Sequence, residues 1–165
     1  MSKDLIVYFS LEGNTEYIAE QLRSKLGADV LKLVPTKTYH DKGFAKFFWG
    51  GKSAIMADKP ALEPYSVDLA SYDRIIFGSP VWASNFTPPL RTFIDSNRSA
   101  LTGKRISAYV CMAGSGGSKV LKKLAKFLAI PSFDHTAVFI DPHSKPDATQ
   151  SAALDAFCAE LQSEG

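Results

Sequence analysis

Apolar residues in this chain recur with two different periods. Five short runs are nearly continuous, at 5–9, 30–34, 74–78, 105–112 and 137–140. Runs of this length, rich in Val, Ile, Tyr and Phe, predict strands buried on both faces. Between them the spacing changes to three and four. Ile18, Ala19, Leu22 and Leu26 predict a helix over 15–27, with Gly27 as its C-cap. Further helices are predicted over 88–96, 118–128 and 147–162, the last with Leu154, Phe157, Cys158 and Leu161 as its apolar stripe. Strands alternating with helices predict an α/β fold, doubly wound about a five-stranded parallel sheet. Such sheets bind ligands outside the carboxyl ends of their strands. The loops after the first, third and fourth runs are therefore the places to search.

One segment breaks the alternation. Residues 35–73 are long for a simple crossover. A helix is predicted near 42–56, with Phe44, Phe47, Phe48 and Ile55 on one side and Gly50-Gly51 as an interruption. No repeat or low-complexity linker accompanies it. Residues 1–165 read as one domain with an insertion at about 35–73.

Composition narrows the class. The chain is 45% apolar and 22% charged, which excludes a disordered protein. A formal net charge of +2 argues against a dedicated nucleic-acid binder. No apolar run approaches the ~20 residues of a membrane span, and Met1-Ser2-Lys3-Asp4 opens no secretory signal pattern. Two cysteines, Cys111 and Cys158, are too few for a Cys-rich zinc site. A cytoplasmic protein with reduced thiols is expected.

The loop after the first run is Ser10-Leu11-Glu12-Gly13-Asn14-Thr15. It leaves a buried strand and opens a helix. Unpaired N–H groups and the positive end of the helix dipole meet there, and together they can hold a phosphate without any lysine or arginine. Ser10, Asn14 and Thr15 add polar side chains, and Gly13 permits a close turn. A plain helix cap explains such residues equally well when they are taken alone. Tyr8, Ser10, Gly13, Thr15, Ala19 and Leu22 together, however, resemble the signature that opens the flavodoxin family. The resemblance implies strand order 2-1-3-4-5, FMN as cofactor, and this loop as the cradle of its phosphate.

The resemblance also assigns the other two loops. After the third run come Ser79, Pro80, Val81, Trp82 and Ala83, followed by Thr87 as an N-cap ahead of Pro88 and Pro89. An indole in a surface loop at this end of a sheet stacks well on a flat aromatic ligand, or else plugs its own loop. In flavodoxin-like proteins the corresponding loop holds the isoalloxazine ring. After the fourth run, Ala113, Gly114, Ser115, Gly116 and Gly117 offer close backbone approach to the ring's polar edge, or simply a flexible turn. Many electron-carrying flavodoxins place an aromatic residue here, and this chain has none. The outer ring face is then open, or covered from the insertion by Tyr39, Phe44, Phe48 or Trp49.

Other signals fail on inspection. Gly51-Lys52-Ser53 resembles the end of a P-loop, but the required earlier glycine is Lys46. Cys111 precedes a Gly/Ser loop as in small tyrosine phosphatases, but Gly117 stands where their arginine would be. A receiver domain needs an aspartate where the chain has Phe77-Gly78-Ser79, and His40, His135 and His143 show no metal spacing. One charge feature remains. Residues 98–126 carry seven basic side chains and no acidic one, with Lys119, Lys122, Lys123 and Lys126 on one helix face. That face is either simply solvated or a docking surface for an acidic redox protein or the extra phosphate of NADPH.

The expectation is an FMN-binding, flavodoxin-like redox protein mediating electron transfer. The rival is an FMN-dependent NAD(P)H oxidoreductase acting on a quinone or similar acceptor, a class that often forms homodimers. Either way a redox protein or NAD(P)H is the expected partner.

Overall fold

The computed structural model describes residues 3–37 and 59–163. The helix predicted near 42–56, its Gly50-Gly51 interruption and the aromatic candidates Tyr39, Phe44, Phe48 and Trp49 lie outside the described residues. Five strands form one parallel sheet: β1 (Asp4–Tyr8), β2 (Asp29–Lys32), β3 (Arg74–Pro80), β4 (Arg105–Met112) and β5 (Thr136–Ile140). Their order is β2-β1-β3-β4-β5, as the flavodoxin resemblance implies. Helices α1 (Asn14–Leu26), α2 (Pro88–Ser96), α3 (Arg98–Leu101), α4 (Gly117–Leu128) and α5 (Ala148–Gln162) flank it.

The two-residue period of each strand sorts its side chains between two cores. Leu5, Val7, Ile75, Phe77, Ala108 and Val110 meet Leu90, Phe93 and Ile94 of α2 and Val120, Leu121 and Leu124 of α4. Ile6, Tyr8, Ile76, Tyr109, Cys111 and Phe139 meet Ile18, Ala19 and Leu22 of α1 and Leu154, Phe157, Cys158 and Leu161 of α5. The central strands β1, β3 and β4 are buried on both faces, which is why they read as continuous apolar runs. The edge strands β2 and β5 are half-exposed.

Several boundaries move, each for a pairing reason. Strand β3 runs on to Pro80 because Ser79 and Pro80 pair with Val110 and Cys111. Strand β2 begins at Asp29, opposite Leu5, rather than at Val30. Helix α3 is a single turn, too short to show a period. Gly27 closes α1 in the left-handed conformation and donates its N–H to Arg23 O, as expected of a C-cap. The described part of the insertion returns along the sheet edge. There Thr36 N–H donates to Ala61 O at 2.9 Å and Pro35 bridges Leu62.

At the amino ends of the strands lies a buried ion pair that the apolar pattern does not predict. Arg74 Nη2 and Nε reach the Asp4 carboxylate at 2.6 and 3.0 Å, and Nη1 donates to Leu161 O at 2.9 Å. The guanidinium thereby ties β1, β3 and the end of α5 together, and removing either partner would strand a buried charge. Among the described residues no helix is long and apolar enough to cross a membrane.

Candidate functional site

A cavity of about 420 Å³ opens at the carboxyl ends of the strands. Ser10, Leu11, Glu12, Asn14 and Thr15 form one wall. Pro80, Val81, Trp82, Ala83 and Ser84 form the second. Cys111, Met112, Ala113, Gly114 and Ser115 form the third, and Asp141 closes it from the end of β5. The volume lies within the range of cofactor sites.

The first wall is the turn that opens α1. Gly13 stands at the N-cap of α1 with φ 99°, a left-handed conformation that glycine adopts without cost, and no side chain caps the helix from that position. The hydroxyl of Ser10 instead accepts the N–H of Glu16 at 3.1 Å, leaving its own proton to donate onward. The amides of Asn14 and Thr15 start the helix at the cavity wall. Their side chains are used differently from the expectation of phosphate donors. Asn14 Oδ1 accepts the N–H groups of His143 and Ser144 at 2.8 and 3.1 Å, so its carboxamide pins the loop after β5 against the start of α1. The Thr15 side chain hydrogen-bonds the Cys111 thiol. Below it, Tyr109 Oη donates to Thr15 O at 2.8 Å. That ring fits only because residue 78 is glycine: a Cβ there would lie 2.4 Å from Tyr109 Cζ and Oη.

The second wall is a short hairpin. Trp82 and Asn85 exchange backbone hydrogen bonds at 3.0 and 2.9 Å. Between them Ala83 and Ser84 have φ of 46° and 59°, so both central residues are left-handed, as in a type I′ turn. The Trp82 indole packs edge-on against Phe9, with centroids 5.4 Å apart and planes at 84°. It is half-buried and also lines the cavity, so it both plugs the base of its loop and presents a surface to the cavity. Ser79 lies below this wall, fully buried, and does not line the cavity. Its hydroxyl accepts the N–H of Thr87 at 3.1 Å and lies 3.3 Å from Thr87 Oγ1. Thr87 therefore occupies the N-cap of α2 while making no side-chain cap bond; its hydroxyl faces Ser79 instead.

The third wall is made of small, exposed residues, Ala113, Gly114 and Ser115. Gly116 caps α4, Gly117 begins it against Val138, and neither lines the cavity; nor does Gly13. Burial pushes the Cys111 thiol up to about 12, against the Thr15 hydrogen bond and with help from the Asp141 charge, so it is a neutral thiol at ordinary pH. Among the described residues, Glu12 and Asp141 are the acids of the lining, and no lysine or arginine belongs to it.

Sequence reasoning did not include Ser84, Cys111, Met112 or Asp141 among the lining residues. Asp141 was findable: the rule that sites form beyond the carboxyl ends of strands applies to β5 as well as to β1, β3 and β4. Ser84 was hidden because its place depends on a hairpin of two non-glycine, left-handed residues.

Comparison with known proteins agrees with this architecture. A family model described as flavodoxin matches residues 3–141. A protein of Bacteroides eggerthii DSM 20697 is 26% identical, with a TM-score of 0.72 over 95% of this chain and 98% of that one. A flavoprotein of Lactobacillus acidophilus NCFM, solved in complex with FMN, is 18% identical, with a TM-score of 0.70 over 95% and 99%. Oxidised flavodoxin 1 of Bacillus cereus is 18% identical, with a TM-score of 0.61 over 99% of each chain. With the family match spanning most of its length and the sheet order in place, the chain belongs to the flavodoxin family.

Proposed function

We propose that this chain is an FMN-binding redox protein that mediates electron transfer. The observation that carries the reading is the cavity, with the Asn14 and Thr15 start of α1 at one wall and a half-buried indole at the next. The family match and the FMN held by the Lactobacillus acidophilus neighbour support the choice of cofactor. Bound FMN supplies the redox chemistry at its ring system. The chain's own residues bind and orient it. The amides of Asn14 and Thr15 and the hydroxyl of Ser10 are suited to the phosphate. Trp82 and the 113–115 loop are suited to the two sides of the ring.

A second reading, an NAD(P)H oxidoreductase acting on a quinone or similar acceptor, is favoured by one observation. Among the described residues, Ala113, Gly114 and Ser115 on this wall are small and exposed, as a second planar molecule beside the ring would require.

The test is purification without added flavin, then chromatography of what heat releases, and titration of the stripped protein. FMN should be released and should rebind at least tenfold more tightly than riboflavin. Equal affinity for the two would refute the phosphate cradle, and no uptake of either would refute the FMN reading. Rapid bleaching of the bound flavin by NADH or NADPH would select the oxidoreductase; bleaching by dithionite alone would select the carrier.

A further inference from the structure

We propose that the exposed face of α4, continued by the basic residues of α2 and α3, is the docking surface for an acidic electron-transfer protein. The inference rests on the FMN reading and names its partner.

Among the described residues, basic side chains cluster on this face. The chain has 19 basic and 17 acidic residues, yet α4 has four lysines and no acid. Lys119, Lys122 and Lys126 are exposed, at spacings of three and four that put them on one face spanning ~10 Å. Val120, Leu121 and Leu124 occupy the buried side. The face begins at the cavity: α4 starts two residues after Ser115, and Lys123 Nζ donates to Ser84 O at 2.8 Å. It continues past the ring of Phe127, which has the Arg91 guanidinium at 4.5 Å and that of Arg98 at 4.6 Å. Beside this face, among the described residues, Asp95 is engaged by Arg98 and Lys59.

The form of this surface selects the partner. A nucleotide phosphate needs donors converging on a point, whereas Lys119, Lys122 and Lys126 are spread along a convex helix and line no part of the flavin cavity. A nucleic-acid binder of this size would carry a larger excess of positive charge. An extended positive strip beside a redox centre fits an acidic protein surface, which it would attract and orient. One electron per encounter would then pass between the flavin edge and the partner's redox centre.

The experiment compares two triple variants of equal charge change in the FMN-loaded protein. One is Lys119→Glu/Lys122→Glu/Lys126→Glu. The control, Arg23→Glu/Lys25→Glu/Lys32→Glu, lies on exposed positions of α1 and β2. The dithionite-reduced protein is mixed with ferricyanide; each flavin gives two electrons to two ferricyanide ions and releases its protons to solvent. At low salt the α4 triple should slow this at least tenfold and the control less than threefold, with the difference gone at high salt. Equal slowing would overturn the proposal, because net charge would then explain it. A second readout needs no flavin: titrating the isotope-labelled, FMN-free chain with an acidic plant-type [2Fe–2S] ferredoxin should shift amide signals over 117–128 and 91–98. Shifts elsewhere, or none, would overturn the docking face, whereas failure of FMN uptake would strike only the cofactor reading. Binding of 2′,5′-ADP that is lost in the α4 triple would overturn it in favour of a nucleotide site.

Discussion

Replacing Gly78 by alanine tests how the sheet holds the loop after β1 in place. The added Cβ would stand 2.4 Å from Tyr109 Cζ and Oη and 2.7 Å from Cε1, far inside contact distance. The ring has nowhere to go. It is fully buried, packs against Phe139 with centroids 6.1 Å apart, and ends in the hydrogen bond to Thr15 O. Overpacking of this kind costs ~1–3 kcal/mol. Loss of the hydrogen bond adds about 1 kcal/mol, and no more, because the Thr15 carbonyl keeps its place in the helical ladder. The sum, about 3 kcal/mol, corresponds to a fall in Tm of roughly 6–12 °C for a domain of this size. Urea unfolding of the FMN-free protein, followed by circular dichroism, should show the midpoint fall with m unchanged. Tyr109→Leu would itself destabilise but should make Gly78→Ala nearly harmless, so the double variant would be strongly non-additive. A Tm within 2 °C of wild type for Gly78→Ala alone would refute the reasoning, as would additivity of the pair.

Three other outcomes follow from the same geometry. Trp82→Ala should weaken FMN binding about tenfold, by loss of ring contact and of the edge-on packing against Phe9; flavin fluorescence titration would read this, and unchanged affinity would leave the indole a purely structural role. Asn14→Ala removes the acceptor of the His143 and Ser144 amides, so FMN Kd should rise about tenfold and amide exchange at 143–144 should quicken, while Asn14→Asp should keep the second readout near wild type. Stability should fall in alkali: with the Cys111 thiol pushed from 9.0 up to about 12, the folded state keeps a proton that the unfolded state releases, so its contribution is intact below pH 9 and declines by about 1.4 kcal/mol per pH unit from there toward 12. Urea midpoints measured from pH 8 to 10.5 should show that slope, reduced by about one proton's worth in Cys111→Ala.

The parts of the fold that sequence made legible are those governed by local period. Strands β1, β3 and β4 are buried on both faces, so their runs are unbroken, and α1, α2 and α5 show clear stripes. Their capping residues Gly27, Thr87 and Asp147 stand at the predicted ends. Contacts between distant residues were not legible. Asp4 and Arg74 look like ordinary strand-end polar residues until the parallel register sets them opposite each other beneath Leu161. Asn14 looks like a phosphate donor until the loop after β5 takes its carboxamide. The candidate site divides the same way. Its three loops follow from the carboxyl-end rule and the family signature. Which of their residues face the cavity depends on hydroxyl pairings such as that of Ser79 with Thr87, which turn a predicted contact into a buried brace.

The hairpin of Trp82–Asn85 bears on how this protein would respond to engineering. A turn with two left-handed centres favours Asn-Gly, whereas this one uses Ala83 and Ser84, at a conformational cost of roughly 1 kcal/mol or more each. A library selected for heat resistance alone would be drawn to these two positions, since few surface changes offer as much. Both residues line the cavity. The most accessible thermostabilising substitutions therefore coincide with the wall of the candidate site, and any such selection needs a flavin-retention screen beside it.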